Sequence, residues 1–260
     1  MASKGSGVNP SKSSTAPSRS ALPAPDVQRF RSRLGEFLDE RDDCGRKWAD
    51  SQWGVYAFYD FDGEPIYVGQ TNEQLRTRVR RHLTNQRTDA VAMRVLDVME
   101  VAEVEIWPLW HLAEQAEGGK EARDQARRAL DSYEYSAYLK AIEASKFKAI
   151  LNEKIPPVSP RVEMRPSLRF SLVSEADRRE LGHPDIRIAR RAETISRLSD
   201  VVRERGEVSD GLRRVLVIQA IRLAFLSAER LAYVEGRPSP SPTAIDSLEL
   251  IGSVLSDEST

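Results

Sequence analysis

The sequence predicts an α+β fold: a small three-stranded antiparallel sheet flanked by helices, with a helical C-terminal region behind it. Three observations predict it. Val55, Ala57 and Tyr59 alternate with Tyr56, Phe58 and Asp60 in the period of a strand, and the Asp62-Gly63 turn leads into a second strand at Ile66-Tyr67-Val68. Val104, Ile106 and Pro108 alternate with Glu103, Glu105 and Trp107, which gives a third strand within 101–110 whose proline marks an edge or a terminus. From residue 112 onward, apolar residues recur mostly at helical spacing.

Taken in order, residues 1–25 are Ser, Pro, Ala, Gly and Lys with little to bury, and read as a disordered tail. Asp26 is placed to cap a helix running to about Arg41, with Val27, Phe30, Leu34, Phe37 and Leu38 on one face. That helix either packs on the sheet or contacts DNA through Arg29, Arg31 and Arg33; packing is the simpler reading. A polar connection ending in Trp48 and Trp53 precedes the first strand. After the second strand, Leu75, Val79 and Leu83 form the inner face of a helix, and Arg78 and His82, four apart, lie one above the other beside it. A helical region over 112–145 breaks near Gly118-Gly119. Residues 156–172 read as a Pro-rich linker carrying Arg161, Arg165 and Arg169. Helical periodicity then covers 186–205 and 209–236, and a last helix is expected over 243–255 after the Pro-Ser-Pro-Ser-Pro hinge. The expected organisation is a tail (1–25), a domain with its N-terminal helix (26–155), the linker (156–172) and a helical region (173–260) that either completes the core or serves dimerisation or target recognition.

Composition narrows the function classes. A chain of 260 residues with 40% hydrophobic and 30% charged residues has enough apolar material for a core. The net charge of −1 supplies no global field for a polyanion, so any basic surface is local. It is concentrated over 76–94, where Arg76, Arg78, Arg80, Arg81, Arg87 and Arg94 face a single acid, Asp89. Cys44 is the lone cysteine, which rules out an intrachain disulfide and a Cys-rich zinc site and fits a reducing, cytoplasmic location. No apolar run is long enough to span a membrane.

The stretch that carries chemistry is 54–82. Gly54-Val55-Tyr56 stands ten residues before Tyr67-Val68-Gly69, and a helix with Arg78 and His82 follows. This pattern resembles the GIY-YIG nuclease superfamily, whose two tripeptides are followed by an arginine and, one turn on, a tyrosine or histidine. The resemblance covers roughly 54–152. It implies the GIY-YIG fold and Mg2+-dependent hydrolysis of DNA phosphodiester bonds.

The roles that the resemblance implies suit the residue types. Tyr56 would help to activate the water, and Tyr67 would position it or contact phosphate. A lone strand tyrosine is ordinarily an amphipathic packing residue; the paired tripeptides reverse that preference. Arg78 offers a permanently charged planar fork to phosphate oxygens, and His82 can relay a proton near neutral pH. Glu134 is the expected metal ligand, because Mg2+ needs only one or two protein carboxylates. It stands eighteen residues before Asn152, where the family spacing is about twelve, and Glu143 is the alternative. Asn152, in Leu151-Asn152, would hold the metal site or a phosphate, or cap a helix in left-handed conformation. Arg76, Arg80, Arg81 and Arg87 would track the backbone of double-stranded DNA. The superfamily includes free-standing restriction enzymes, and a type II restriction endonuclease is the first expectation. A repair or structure-specific nuclease and a non-cleaving DNA-binding module are the alternatives. Cutting both strands requires a homodimer or two encounters.

Overall fold

The computed structural model of the protein describes residues 23–84 and 95–255. Its centre is a four-stranded antiparallel sheet in the order β2-β1-β3-β4, with β1 at Gly54–Tyr59, β2 at Pro65–Thr71, β3 at Glu103–Pro108 and β4 at Leu168–Ser171. The sequence pattern led to three of these strands. The fourth comes from the stretch expected as a linker. Leu168-Arg169-Phe170-Ser171 pairs with β3 from Ile106 to Glu103, so β3 is an inner strand and its proline marks the terminus rather than an edge. Every residue of β1 is buried, as expected of a central strand covered on both faces.

The helices flank this sheet. The first, α1 (Pro25–Asp39), opens with Pro25 rather than with an Asp26 cap; proline supplies the helical φ and lacks the N–H that would go unsatisfied. Its Phe37 ring meets Phe170 of β4 at 5.7 Å. The second, α2 (Leu75–Thr84), buries Leu75, Val79, His82 and Leu83. Then α3 (Trp110–Ala116) and α4 (Lys120–Ala144) are separated where Gly119 takes φ +103°. Helix α4 lies against β2 and β1. The C-terminal region holds a short α5 (Glu175–Leu181), long helices α6 (Pro184–Arg205) and α7 (Asp210–Val234), and α8 (Ser247–Ile251). The last is much shorter than the 243–255 expectation because Gly252, at φ +71°, ends it.

The C-terminal helices share the main core. Leu198 of α6 and Leu212, Val215 and Ile218 of α7 belong to the same apolar cluster as Val55, Phe58 and Ile106 of the sheet. A buried ionic cluster adds to this. Asp60, just after β1, receives Arg187 Nη2 at 3.1 Å, Arg191 Nη2 at 2.9 Å and Arg222 Nη2 at 2.7 Å on Oδ2. Its Oδ1 accepts the backbone N–H groups of Asp62 and Glu64 at 2.9 and 3.1 Å. One carboxylate therefore shapes the β1–β2 turn and ties it to both long helices. Among the described residues, no helix is long and apolar enough to cross a membrane.

Candidate active site

The register of the hairpin builds the site. Phe58 pairs with Tyr67 and Tyr56 pairs with Gly69, so both tyrosines project from the same face of the sheet. Their rings stack at 6.3 Å between centroids. Helix α2 crosses that face and brings Arg78 and His82 down onto it. Arg78 Nε lies 3.3 Å from the Tyr56 hydroxyl, and His82 Nε2 lies 3.0 Å from the same oxygen. Residues 22 and 26 positions away from Tyr56 thus converge on one phenolic oxygen.

Two glycines make this geometry possible. A Cβ at Gly69 would sit 2.5 Å from the Tyr56 hydroxyl, and one at Gly54 would sit 2.6 Å from Leu75 Cδ1 and 2.8 Å from the Trp107 carbonyl oxygen. Gly69 therefore leaves room for the phenol beside β2, and Gly54 lets α2 dock tightly on the strand.

Glu134 reaches the site around the edge of the sheet. β2 is an edge strand, and the outward backbone groups along it are taken up in turn. Leu151 N–H donates to the Ile66 carbonyl at 2.8 Å. Asn152 Oδ1 accepts from Val68 N–H at 3.0 Å, and its Nδ2 donates to the Val68 carbonyl at 2.8 Å. The Gln70 N–H then bonds to Glu134, whose carboxylate is close enough to interact with Arg78, Tyr56 and Tyr67. Both ends of the Asn152 amide bond the Val68 backbone, so it holds β2 in place beside the site. It is not a left-handed helix cap, since Lys148 is the non-glycine residue with positive φ among those described. Glu143, the alternative ligand, is exposed and lies 3.8 Å from Arg161.

The arginines expected to track DNA divide. Arg76 is committed internally, to Asp50 at 2.7 Å and the Leu38 carbonyl at 2.8 Å, and Arg81 pairs with Glu73 at 2.8 Å. Arg80 is exposed. Arg87 lies outside the described residues, as do Asp89 and Arg94.

Burial sets the electrostatics. It pushes the Glu134 carboxyl up to about 7, helped by the nearby Asp131 charge and opposed by Arg78 and the Gln70 N–H. It pushes the His82 imidazole down to about 4, with Arg78 and Arg81 acting in the same direction, so the ring is neutral at neutral pH. The Tyr67 phenol rises to about 12 and that of Tyr56 well above its ordinary 10, again chiefly through burial. Arg78 Nε–H can only donate, so the Tyr56 oxygen accepts there, and the same hydroxyl meets His82 Nε2 and hydrogen-bonds Tyr67. His82 Nδ1 is buried without a partner among the described residues.

The donor set fits one hard divalent cation. Glu134 is a half-buried carboxylate with a raised pKa, opposed by one guanidinium. Among the described residues no three His, Cys, Asp or Glu side chains cluster as a metal cage. A cation would therefore be held through one or two carboxylates and take its remaining oxygens from water and phosphate.

Comparison with known proteins agrees with this geometry. Residues 52–119 match the family model described as the GIY-YIG catalytic domain. The matched segment is similar to the GIY-YIG catalytic domain; it takes in both tyrosines, Arg78 and His82 and ends before Glu134 and Asn152. No curated protein and no solved structure matches the chain.

Proposed function

We propose that this chain is a Mg2+-dependent endonuclease that cuts double-stranded DNA as a type II restriction enzyme. The observation that carries the reading is the meeting of Arg78 and His82 on the Tyr56 hydroxyl, with Glu134 at the open edge of the same sheet. Phosphodiester hydrolysis needs a positioned water, a path for its proton and positive charge on the pentavalent phosphate. Arg78 supplies the charge through the guanidinium nitrogens not used on Tyr56. By analogy with a lost oxyanion donor it lowers the barrier by ~3–4 kcal/mol. Tyr56 takes a proton from the attacking water as it passes its own to His82 Nε2. Neutral imidazole at working pH is the state that can accept it. The bond from phosphorus to the leaving oxygen breaks, and that oxygen takes its proton from solvent. Tyr67, stacked on Tyr56, presents its hydroxyl to the water or to a phosphate oxygen. Glu134 would hold a Mg2+ ion, which would supply further positive charge and acidify the water. The restriction role is supported by the shared core of nuclease domain and C-terminal helices, which lets recognition and cleavage reside in one body, acting as a homodimer on two strands.

The test is incubation of the full chain with plasmid DNA and Mg2+, beside Glu134→Ala. Discrete bands abolished by the substitution support restriction. Cuts that depend on junctions or flaps would replace that reading with repair. DNA binding without any cleavage would leave a binding module and overturn the enzyme reading.

A further inference from the structure

We infer that the exposed cationic stripe at the start of α4 is the track that carries the DNA backbone to the catalytic face. The inference rests on the nuclease reading and says where the substrate lies.

Lys120, Arg123 and Arg127 precede Asp131 and Glu134 on α4 at intervals of three, four, four and three residues, which stacks all five along one face of the helix. At a rise of 1.5 Å per residue, Arg127 is about 10 Å and Arg123 about 16 Å from Glu134 along the axis. The two arginines are about 6 Å apart on that axis, close to two nucleotide steps of a strand at 3.4 Å each. The stripe therefore ends on the carboxylate of the site and has a spacing suited to alternate phosphates of one strand.

The charge on this stripe is available. Lys120, Arg123 and Arg127 are exposed, and neither arginine forms an ion pair with a described residue. Arg76 and Arg81 of α2, by contrast, are tied to Asp50 and Glu73. Of the acids in the same segment, Glu121 falls off the stripe by helical spacing; Asp124, four after Lys120 and three before Arg127, lies at its margin and forms no ion pair with a described residue; and Asp131 is bonded to Gln70 Nε2 at 2.8 Å. A guanidinium held in place by an internal carboxylate gains little from a phosphate, whereas an uncommitted one releases the condensed counterions of DNA when it binds.

The test is the salt dependence of binding to a mixed-sequence duplex oligonucleotide, measured by fluorescence anisotropy in EDTA, for the wild type, Arg123→Ala/Arg127→Ala and the lysine pair Arg123→Lys/Arg127→Lys. We expect the alanine pair to lower the slope of log K against log salt by about 2, at ~0.9 for each phosphate contact. It should weaken affinity at least tenfold whatever the sequence, while the melting temperature stays unchanged. The lysine pair should keep most of the slope. An unchanged slope in an alanine pair that still folds overturns the inference and leaves the nuclease reading intact. Loss of slope in the alanine pair, with a wild type that binds but never cuts, would keep the track and remove the nuclease reading. A wild type with no affinity for duplex DNA overturns both.

Discussion

Asp60 and Glu134 are both carboxylates set where water is scarce, and they have opposite fates. Around Asp60, burial pushes the pKa up, but Arg222, Arg187 and Arg191 together outweigh it and hold the group below the usual carboxylate range. Around Glu134, one arginine and one backbone N–H are too little to offset burial and the Asp131 charge, and the carboxyl rises to about 7. The first environment is compensated almost throughout; Arg222 Nη1, without a hydrogen bond, still lies 3.9 Å from Glu64 Oε1. The second is left electrically incomplete, and so able to take up a cation or a phosphate. The contrast separates scaffold from chemistry within one small protein.

The comparison can be broken most forcefully at Asp60. Asp60→Asn leaves three buried guanidiniums without their shared counter-ion and is expected to cost ~3–5 kcal/mol, read by denaturant unfolding. A fully stable variant would mean that the cluster does not hold the C-terminal helices to the sheet. Next is Gly69→Ala. Its methyl must displace the Tyr56 hydroxyl, only 2.5 Å away, with an expected cost of ~1–3 kcal/mol and a larger loss in the cleavage rate. Equal losses in stability and cleavage would argue for general overpacking instead.

The pH dependence sharpens the Glu134 side. Its folded pKa is raised from 4.5 to about 7, so the metal-free fold gains from protonation. Its contribution is fully present below 4.5 and lost as pH rises through about 7. Glu134→Gln should flatten that decline in a melting-temperature series. Cleavage by the wild type should rise with pH through about 7, and raising Mg2+ should move this limb to lower pH because cation and proton compete for one carboxylate. A limb that ignores Mg2+ would detach Glu134 from the metal. The smallest effect is expected at Arg76→Ala. Its ion pair with Asp50 is partly exposed and contributes at most ~1 kcal/mol, and its removal should leave the salt slope of DNA binding unchanged.

What the sequence disclosed and what it hid follow the same physical line. The hairpin, the docking of α2 and the pairing of Arg78 with His82 depend on alternation, a turn dipeptide and helical spacing, all readable within 54–83. The rest depends on distant partners. Strand β4 is a short segment after several prolines, and it becomes a strand because β3 offers a free edge. Arg187, Arg191 and Arg222 sit in helices that also carry exposed arginines such as Arg197, Arg203 and Arg213, and nothing local announces that they share a carboxylate more than 120 positions away. The partner of the Asn152 amide is the backbone of Val68, 84 residues earlier. The α4 stripe was readable in principle from its three-four spacing. The denser arginine run of α2 obscured it, and the structure shows two of those arginines already paired.

The most direct measurement compares Arg78→Ala with the wild type in single-turnover cleavage of duplex DNA with Mg2+, with a melting curve for each. The account predicts a cleavage rate lower by about 10²–10³ at an unchanged melting temperature, because Arg78 completes the site and is not part of the compensated scaffold. A variant that cuts at the wild-type rate would contradict it.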